Sequence, residues 1–216
     1  MDATRYDATE AMQAQQPFEE AIQKFDAANL EDPRTEMANG GLQPREWLFA
    51  KRVYQWVQQL VPNPSEELLL AAQSHTLRRW LIPRDRYPQT RVGYHQWRDA
   101  LAQFHAEQAE AILQKVGYPP EKIQAVKALI TKANWPANPE ACALEDADCL
   151  VFLEFKLAGY VDAWGEKKTV RILRQTIKKM TPDAQSRALK LNLGPREQEL
   201  VLRAARTALA QWPAKW

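Results

Sequence analysis

Three polar side chains lie at positions where the helical period of the sequence calls for apolar residues. His75, His105 and Asp148 each fall on the apolar face of a different predicted helix. Burial of a carboxylate is costly unless a cation, a metal ion or hydrogen-bond donors satisfy it, so Asp148 needs partners. The two imidazoles are obvious partners, and Glu46 on a preceding helix is a further candidate. The pattern predicts one polar centre in which His75, His105 and Asp148 do acid–base chemistry.

Each of these residues also has a purely structural interpretation. A histidine on an apolar helix face is often a hydrogen-bonded core residue, and an aspartate in a core helix often caps a neighbour or pairs with an arginine. Two of the three histidines lie on inner faces together with an aspartate, which favours a shared site. Both interpretations stay open at this point.

A second group of residues interleaves arginines with aromatic side chains between positions 75 and 98. Arginine offers a planar fork that suits phosphate oxygens, and aromatic rings stack on bases or on the guanidinium itself. The segment predicts an anionic-ligand pocket, for instance for a phosphorylated small molecule or a nucleotide. The alternative is a long loop held by arginine–aromatic stacking and surface salt bridges, as in many proteins. The predicted ligand-binding residues are Arg78, Arg79, Arg84, Arg91, Arg98, Tyr87 and Trp97, and the segment also holds Arg86, Trp80 and Tyr94.

Helices must position these side chains, because the apolar residues recur at helical spacing along most of the chain. Prolines and a few glycines mark the corners between them. No strand is predicted, and residues 31–43 and 81–93 are predicted loops. The sequence therefore predicts an all-α protein with helices over about 18–28, 44–60, 66–80, 94–116, 120–130, 140–160 and 165–180, and two more that begin near 182 and 195.

Composition limits the classes of protein that the chain can belong to. It has 216 residues and a formal net charge of +2, so the overall charge does not require a nucleic acid or a membrane as partner. The N-terminus is polar, which predicts no signal peptide, and no apolar run is long enough for a membrane span. Cys142 and Cys149 are expected to be buried thiols of a reducing compartment. We therefore expect a cytoplasmic protein.

Three regions follow from these patterns. Residues 1–16 form a polar tail for which disorder is an open alternative, 17–164 form the helical core, and 165–216 add helices packed on that core. The helix over 165–180 carries a basic face, which is typical of a solvated surface and leaves polyanion docking as the alternative. That face comprises Lys167, Lys168, Arg171, Arg174, Lys178 and Lys179.

Residues 44–160 resemble an HD-domain phosphohydrolase. The resemblance rests on the runs KRVYQWVQQLVPNPSEELLLAAQSHTLRRW, FHAEQAEAILQKVGYPPEKIQAVKALITKA and LEDADCLVFLE. It implies that His75 stands for the motif histidine, Asp148 for the final aspartate and His105 for an auxiliary histidine. The first histidine of the pattern is missing near Phe49, and Thr76 stands where an aspartate follows the motif histidine.

A metal centre is the main consequence of this resemblance. His75 and Asp148 alone would hold a divalent metal ion poorly, because such an ion needs several ligands at fixed distances. Glu46 is the nearest substitute for the missing ligand, so the implied metal ligands are His75, Asp148 and Glu46. The implied cofactor is one divalent transition metal, and a metal-free site is the alternative.

The runs RRWLIPRDRYP, GYHQWR and EDADCLVFLE are also similar to a domain-of-unknown-function family of bacteria and fungi, the DUF4202 type. This resemblance says more about the fold of the chain than about its function. The sequence leaves two functional hypotheses. One is a diverged HD-like hydrolase acting on a phosphate ester, such as a nucleotide. The other is a non-catalytic module that binds a nucleotide, RNA or an acidic partner, and a purely structural helical adaptor is a third possibility.

Overall fold

The computed structural model of the protein describes residues 3–38 and 40–208, with the side chains of 16–38, 40–206 and 208. The predicted all-α class is confirmed, because helices dominate the described chain. No helix in this part of the chain is both long and apolar enough to cross a membrane. In chain order the helices are α1 (Ala3–Leu30), α2 (Arg45–Leu60), α3 (Glu66–Ser74), α4 (Arg91–Val116), α5 (Pro120–Ile130), α6 (Pro139–Val151), α7 (Leu157–Trp164), α8 (Glu166–Lys179), α9 (Pro182–Ala188) and α10 (Pro195–Ala208).

A short hairpin corrects the prediction that no strand is present. Strand β1 (Thr35–Ala38) pairs antiparallel with β2 (Gly41–Pro44) inside the predicted loop over 31–43. Its turn includes Gly40, whose φ of 79° lies in the left-handed region that glycine adopts without strain. The dipeptide Asn39-Gly40 is typical of two-residue hairpin turns and was an available signal, although Asn39 itself lies outside the described residues.

Helix α1 begins earlier than predicted. It starts at Ala3 and so includes most of the residues predicted as a polar tail, of which residues 1–2 lie outside the described chain. The segment is rich in alanine, glutamate, glutamine and methionine, which have high helix propensity even where no apolar stripe reveals a helix. The polarity of this segment therefore did not reveal that its backbone is helical.

Two compact units divide the chain, and the first contains Met1–Tyr54 and Asn63–Asn134. In it, α3 and α4 both pack against α5, while α1 packs against α3 and α4. Its core includes Phe25, Leu70, Leu101, Leu113 and Val126, which are almost completely buried. Both histidines of the predicted site belong to this unit.

The second unit contains Gln55–Pro62 and Trp135–Trp216, of which 209–216 lie outside the described residues. Its largest contact joins α8 and α10, and both helices also pack on α7. The apolar cluster of this unit includes Leu150, Leu157, Leu173, Ile177 and Val201. The boundary between the units falls after Asn134, whereas the sequence placed the end of a core at residue 164.

A π-helical segment divides the long helix predicted over 140–160. It spans Phe152–Lys156 and separates α6 from α7. A π segment adds a residue to the turn and so rotates the helix faces that follow it. As a result, Phe155, which the helical period of the sequence places on the inner face, is 42% exposed.

Candidate functional site

His105 on α4 is the most enclosed of the predicted site residues. Its Nδ1 lies 2.7 Å from the carbonyl oxygen of Leu77, and the side chain is only 3% exposed. A carbonyl can only accept, so Nδ1 carries the hydrogen and the neutral ring keeps its lone pair on Nε2. This Nε2 atom is buried and has no hydrogen-bond partner among the described residues.

The surroundings of His105 hold its ring in the neutral form. Burial is the largest of the causes that lower the pKa of His105 to about 3, and the charges of Arg79, His75 and Arg98 act in the same direction. The hydrogen bond that Nδ1 donates to the Leu77 carbonyl opposes them. The charges that act on His105 most strongly are thus all positive. Such a setting disfavours an added cation and favours an anion.

His75 lies at the carboxyl end of α3, two residues before the carbonyl that orients His105. It is the C-terminal capping residue of the helix, and its Nδ1 is 2.9 Å from the carbonyl oxygen of Ala72. Its ring centre lies 6.0 Å from that of Phe49 on α2. The apolar residues of α3 that share the predicted inner face with His75 are fully buried, whereas His75 itself is half-buried. The structure therefore places His75 close enough to His105 for its charge to act on the His105 ring.

The turn after His75 adds polar atoms that the sequence did not predict to take part. Arg78 adopts a left-handed backbone conformation with φ of 50°, and its N–H donates to Asn29 Oδ1 over 3.0 Å. This turn ends α3 at Ser74, six residues before the predicted end at Trp80. The hydroxyl of Thr76 and the amide nitrogen of Asn29 are buried without a hydrogen-bond partner in the described part of the chain.

Glu46 is engaged by neighbouring residues and is poorly placed to serve as a metal ligand. Its Oε1 accepts a hydrogen bond from Arg34 over 2.8 Å, and its backbone N–H donates to Asp32 over 3.1 Å. Arg34 also binds Asp32 over 2.9 Å, so one guanidinium is shared between the two carboxylates. Nowhere in residues 3–38 and 40–208 do three or more His, Cys, Asp or Glu side chains form a group that could hold a metal ion. The residues present therefore do not fit the metal centre that the HD resemblance implies.

Asp148 belongs to the second unit and is half-buried. The carboxylates that α6 does bury are Glu145 and Asp146, each 3% exposed. Glu145 pairs with Lys179 over 3.3 Å, and Asp146 accepts hydrogen bonds from the backbone N–H and the hydroxyl of Thr181. Asp148 is thus less buried than these two acids, although Leu144 and Val151, which share its predicted face, are buried.

Burial raises the pKa of Asp146 to about 6, against the two hydrogen bonds from Thr181. Thr181 is the N-terminal capping residue of α9, so Asp146 fixes the start of that helix. The sequence signal for this role was the Thr181-Pro182 capping pair, which predicts a helix start but not the acid that contacts it.

Arg84 and Arg78 of the segment over 75–98 are both engaged with neighbouring residues. Arg84 donates to the carbonyls of Tyr87 and Pro88 over 2.9 and 2.8 Å. Arg78 donates to Glu31 over 3.1 Å and to Gln108 over 3.2 Å. A short 3-10 turn at Arg79–Leu81 leads into the predicted loop over 81–93, and a second one at Arg84–Arg86 lies within it. Helix α4 already begins at Arg91.

Arg79 and Arg98 are the two arginines of this segment whose charge reaches His105. The Arg79 guanidinium lies 5.1 Å from the ring centre of Trp97, whose indole N–H donates to Ile82 over 2.9 Å. Arg98 makes no side-chain hydrogen bond or ion pair with the described residues. Arg91 is exposed in the first turn of α4. Of the predicted ligand-binding set, Arg79 and Arg98 are therefore the arginines whose charge acts on His105, while Arg84 binds the Tyr87 carbonyl within the loop and Arg78 binds Glu31 and Gln108 outside it.

A family model described as "Domain of unknown function (DUF4202)" matches residues 19–201. This match covers most of both units, and the chain belongs to that family. No curated protein and no solved structure matches the chain. Membership in the family, which the sequence motifs predicted, is confirmed, and the likeness to HD-domain phosphohydrolases stays a prediction.

Proposed function

We propose that this member of the DUF4202 family binds a phosphorylated small molecule in its first unit. The binding residues are His75, His105, Arg79 and Arg98. Nucleotides are one class of such ligands, and the aromatic ring of Trp97 beside Arg79 suits a base or another flat group.

The proposal rests on the burial and the protonation state of the His105 ring. An imidazole kept neutral chiefly by burial, and also by nearby cations, presents an unshared lone pair at Nε2. A phosphate group complements both features, because its anionic oxygens satisfy the arginines and its P–OH or a neighbouring hydroxyl donates to the imidazole. The partnerless Thr76 hydroxyl and Asn29 amide nitrogen add hydrogen-bonding capacity next to the histidines.

Hydrolysis of a phosphate ester is the second candidate function. It is favoured by the two neighbouring imidazoles, each of which uses Nδ1 on a backbone carbonyl and so directs its chemistry to Nε2. General acid–base catalysis works best with a pKa near the working pH, however, and the pKa of His105 is about 3. Binding is therefore the better-supported function of this site.

The proposal is tested by titrating the full-length protein with inorganic phosphate and with a panel of nucleoside monophosphates in a calorimeter. We expect saturable binding that Arg98→Gln weakens by about tenfold, because a hydrogen bond to a charged group contributes about 1.5–3 kcal/mol. Arg91→Gln is the matched control, since it removes the same charge from an exposed position on the same helix. Equal affinity of both variants, or no binding to any of these compounds, contradicts the proposal.

The same samples test hydrolysis. Release of phosphate from a monophosphate ester, lost in His105→Gln and kept in Arg91→Gln, would establish the second candidate. Ligand that is recovered intact from protein that binds it would leave binding as the function of the site.

A further inference from the structure

The second unit contains a basic cleft that the proposed ligand site does not use. Its volume is about 850 Å³. One wall is the basic side of α8, and Trp164 at the end of α7 forms another part of the lining. The lining residues are Trp164, Glu166, Lys167, Lys168, Val170, Arg171, Arg174 and Arg203.

Four cations form a single row along α8. Lys167, Arg171, Arg174 and Lys178 are spaced by four, three and four residues, which places them on one side of a helix. Neighbours at this spacing are about 5–6 Å apart, so the row presents regularly spaced positive charges. The first three are exposed, and none of the four forms an ion pair with the described residues.

Three other cations of this unit form ion pairs with carboxylates, unlike the row along α8. Lys179 pairs with Glu145 over 3.3 Å, and Arg203 pairs with Glu166 over 3.5 Å. Arg196 binds Asp162 over 3.0 Å. Positive charge is thus left uncompensated along the side of α8 that lines the cleft.

Exposed aromatic rings adjoin the row of cations. Trp164 is 43% exposed, and its ring centre lies 4.4 Å from that of Tyr160, which is 36% exposed. The ring centre of Tyr160 in turn lies 5.1 Å from that of Phe152, and this contact holds the rings of Tyr160 and Trp164 in place. The Lys168 ammonium lies 4.0 Å from the centre of the Trp164 ring. Cations beside exposed rings are the combination that proteins use to bind unpaired bases and their phosphates.

We propose that this cleft binds single-stranded nucleic acid, with the phosphates along Lys167, Arg171, Arg174 and Lys178 and a base stacked on Trp164. A duplex would satisfy the cations but not the exposed indole, because its bases are already stacked on one another. The aromatic group therefore selects the single strand. This activity is separate from phosphate-ligand binding in the first unit.

The test measures the anisotropy of fluorescein-labelled oligouridine and oligothymidine 12-mers as full-length protein is added at several salt concentrations. Arg171→Gln with Arg174→Gln removes two predicted phosphate contacts. We expect affinity to fall at least tenfold, and the slope of log affinity against log salt to become shallower by about 1.4, since each contact contributes about 0.7 for a single strand. The matched control is Lys115→Gln with Lys190→Gln, which removes the same charge from exposed positions that do not line the cleft.

Substitution of Trp164 provides the second part of the test. Trp164→Ala is expected to weaken single-strand binding by tenfold or more and to leave binding of a blunt duplex of the same length unchanged, while Trp164→Phe keeps most of the affinity. The proposal is overturned if the arginine pair and the lysine pair weaken binding equally, if Trp164→Ala binds oligouridine as tightly as the native protein, or if neither oligonucleotide binds.

Discussion

His105 shows at the residue scale how burial and charge together fix the state of one side chain. Its Nδ1 is held by the Leu77 carbonyl, and burial together with nearby positive charge holds its pKa at about 3. Thr76 and Asn29 add buried polar atoms without partners in the described chain. The sequence predicted that His75 and His105 face inward, because both lie on apolar stripes. It could not predict the arginine charges around them, since their positions depend on how the segment after His75 folds back.

The neutral state of His105 predicts a pH effect on stability. The folded-state pKa of about 3 is below the ordinary value of 6.5, so between these values the unfolded chain binds the extra proton. The contribution of His105 to stability is therefore complete above pH 6.5 and is lost as the pH falls toward 3. His105→Gln removes this dependence, and we expect its deficit in unfolding free energy to shrink by about 2 kcal/mol between pH 6.5 and pH 4.5.

Urea denaturation at the two pH values measures this change. His95→Gln, at an exposed histidine on the same helix, is the control for replacing a histidine. A deficit for His105→Gln that stays constant between pH 6.5 and pH 4.5 would show that His105 takes up a proton equally in the folded and unfolded chain.

At the element scale, the start of α4 depends on a close approach of two backbone segments. A β-carbon added at Gly93 would overlap the carbonyl group of Pro88, so the loop can pass over α4 only because position 93 is glycine. Thr90 caps the same turn by accepting from the Gly93 N–H over 3.1 Å. This contact fixes the loop that carries Arg84 and leads back to Trp97 and Arg98.

Gly93→Ala is therefore expected to destabilise the protein by about 1–3 kcal/mol, because the overlap involves backbone atoms that cannot rotate away. Gly159→Ala is the matched control, since a β-carbon there meets no atom within 4 Å and the residue lies inside α7. It is expected to stabilise the protein by about 0.5–1 kcal/mol through helix propensity. Thermal unfolding of both variants checks this, and similar midpoints for the two would contradict the close approach.

The helices illustrate what a periodic pattern can and cannot predict. Helix α2 and helix α8 were predicted almost to their ends, because their apolar stripes are bounded by clear breaks at Pro44 and near Thr181. The π-helical segment at Phe152–Lys156 was not predicted, since an added residue in a turn leaves no trace in composition.

At the scale of the whole molecule, the two proposed sites differ in chemistry and belong to two compact units. The first unit encloses neutral imidazole among cations, and the second exposes a row of cations beside aromatic rings. A formal net charge of +2 hides both features, because it averages over acidic residues that neutralise other cations. The division itself could not be predicted from the sequence, since the second unit takes Gln55–Pro62, a segment that begins inside the continuous helix α2.

The most direct test of the phosphate site is the nitrogen-15 NMR spectrum of the His105 ring at pH 7 during titration with inorganic phosphate. The free protein is expected to show a neutral ring with the hydrogen on Nδ1 and an unprotonated Nε2, and phosphate is expected to shift the Nε2 signal to a saturable end point. Arg98→Gln should keep the spectrum of the free protein and lose the response. A charged ring, a hydrogen on Nε2, or an Nε2 signal that does not respond to saturating phosphate would contradict the proposal that His105 forms part of a phosphate site.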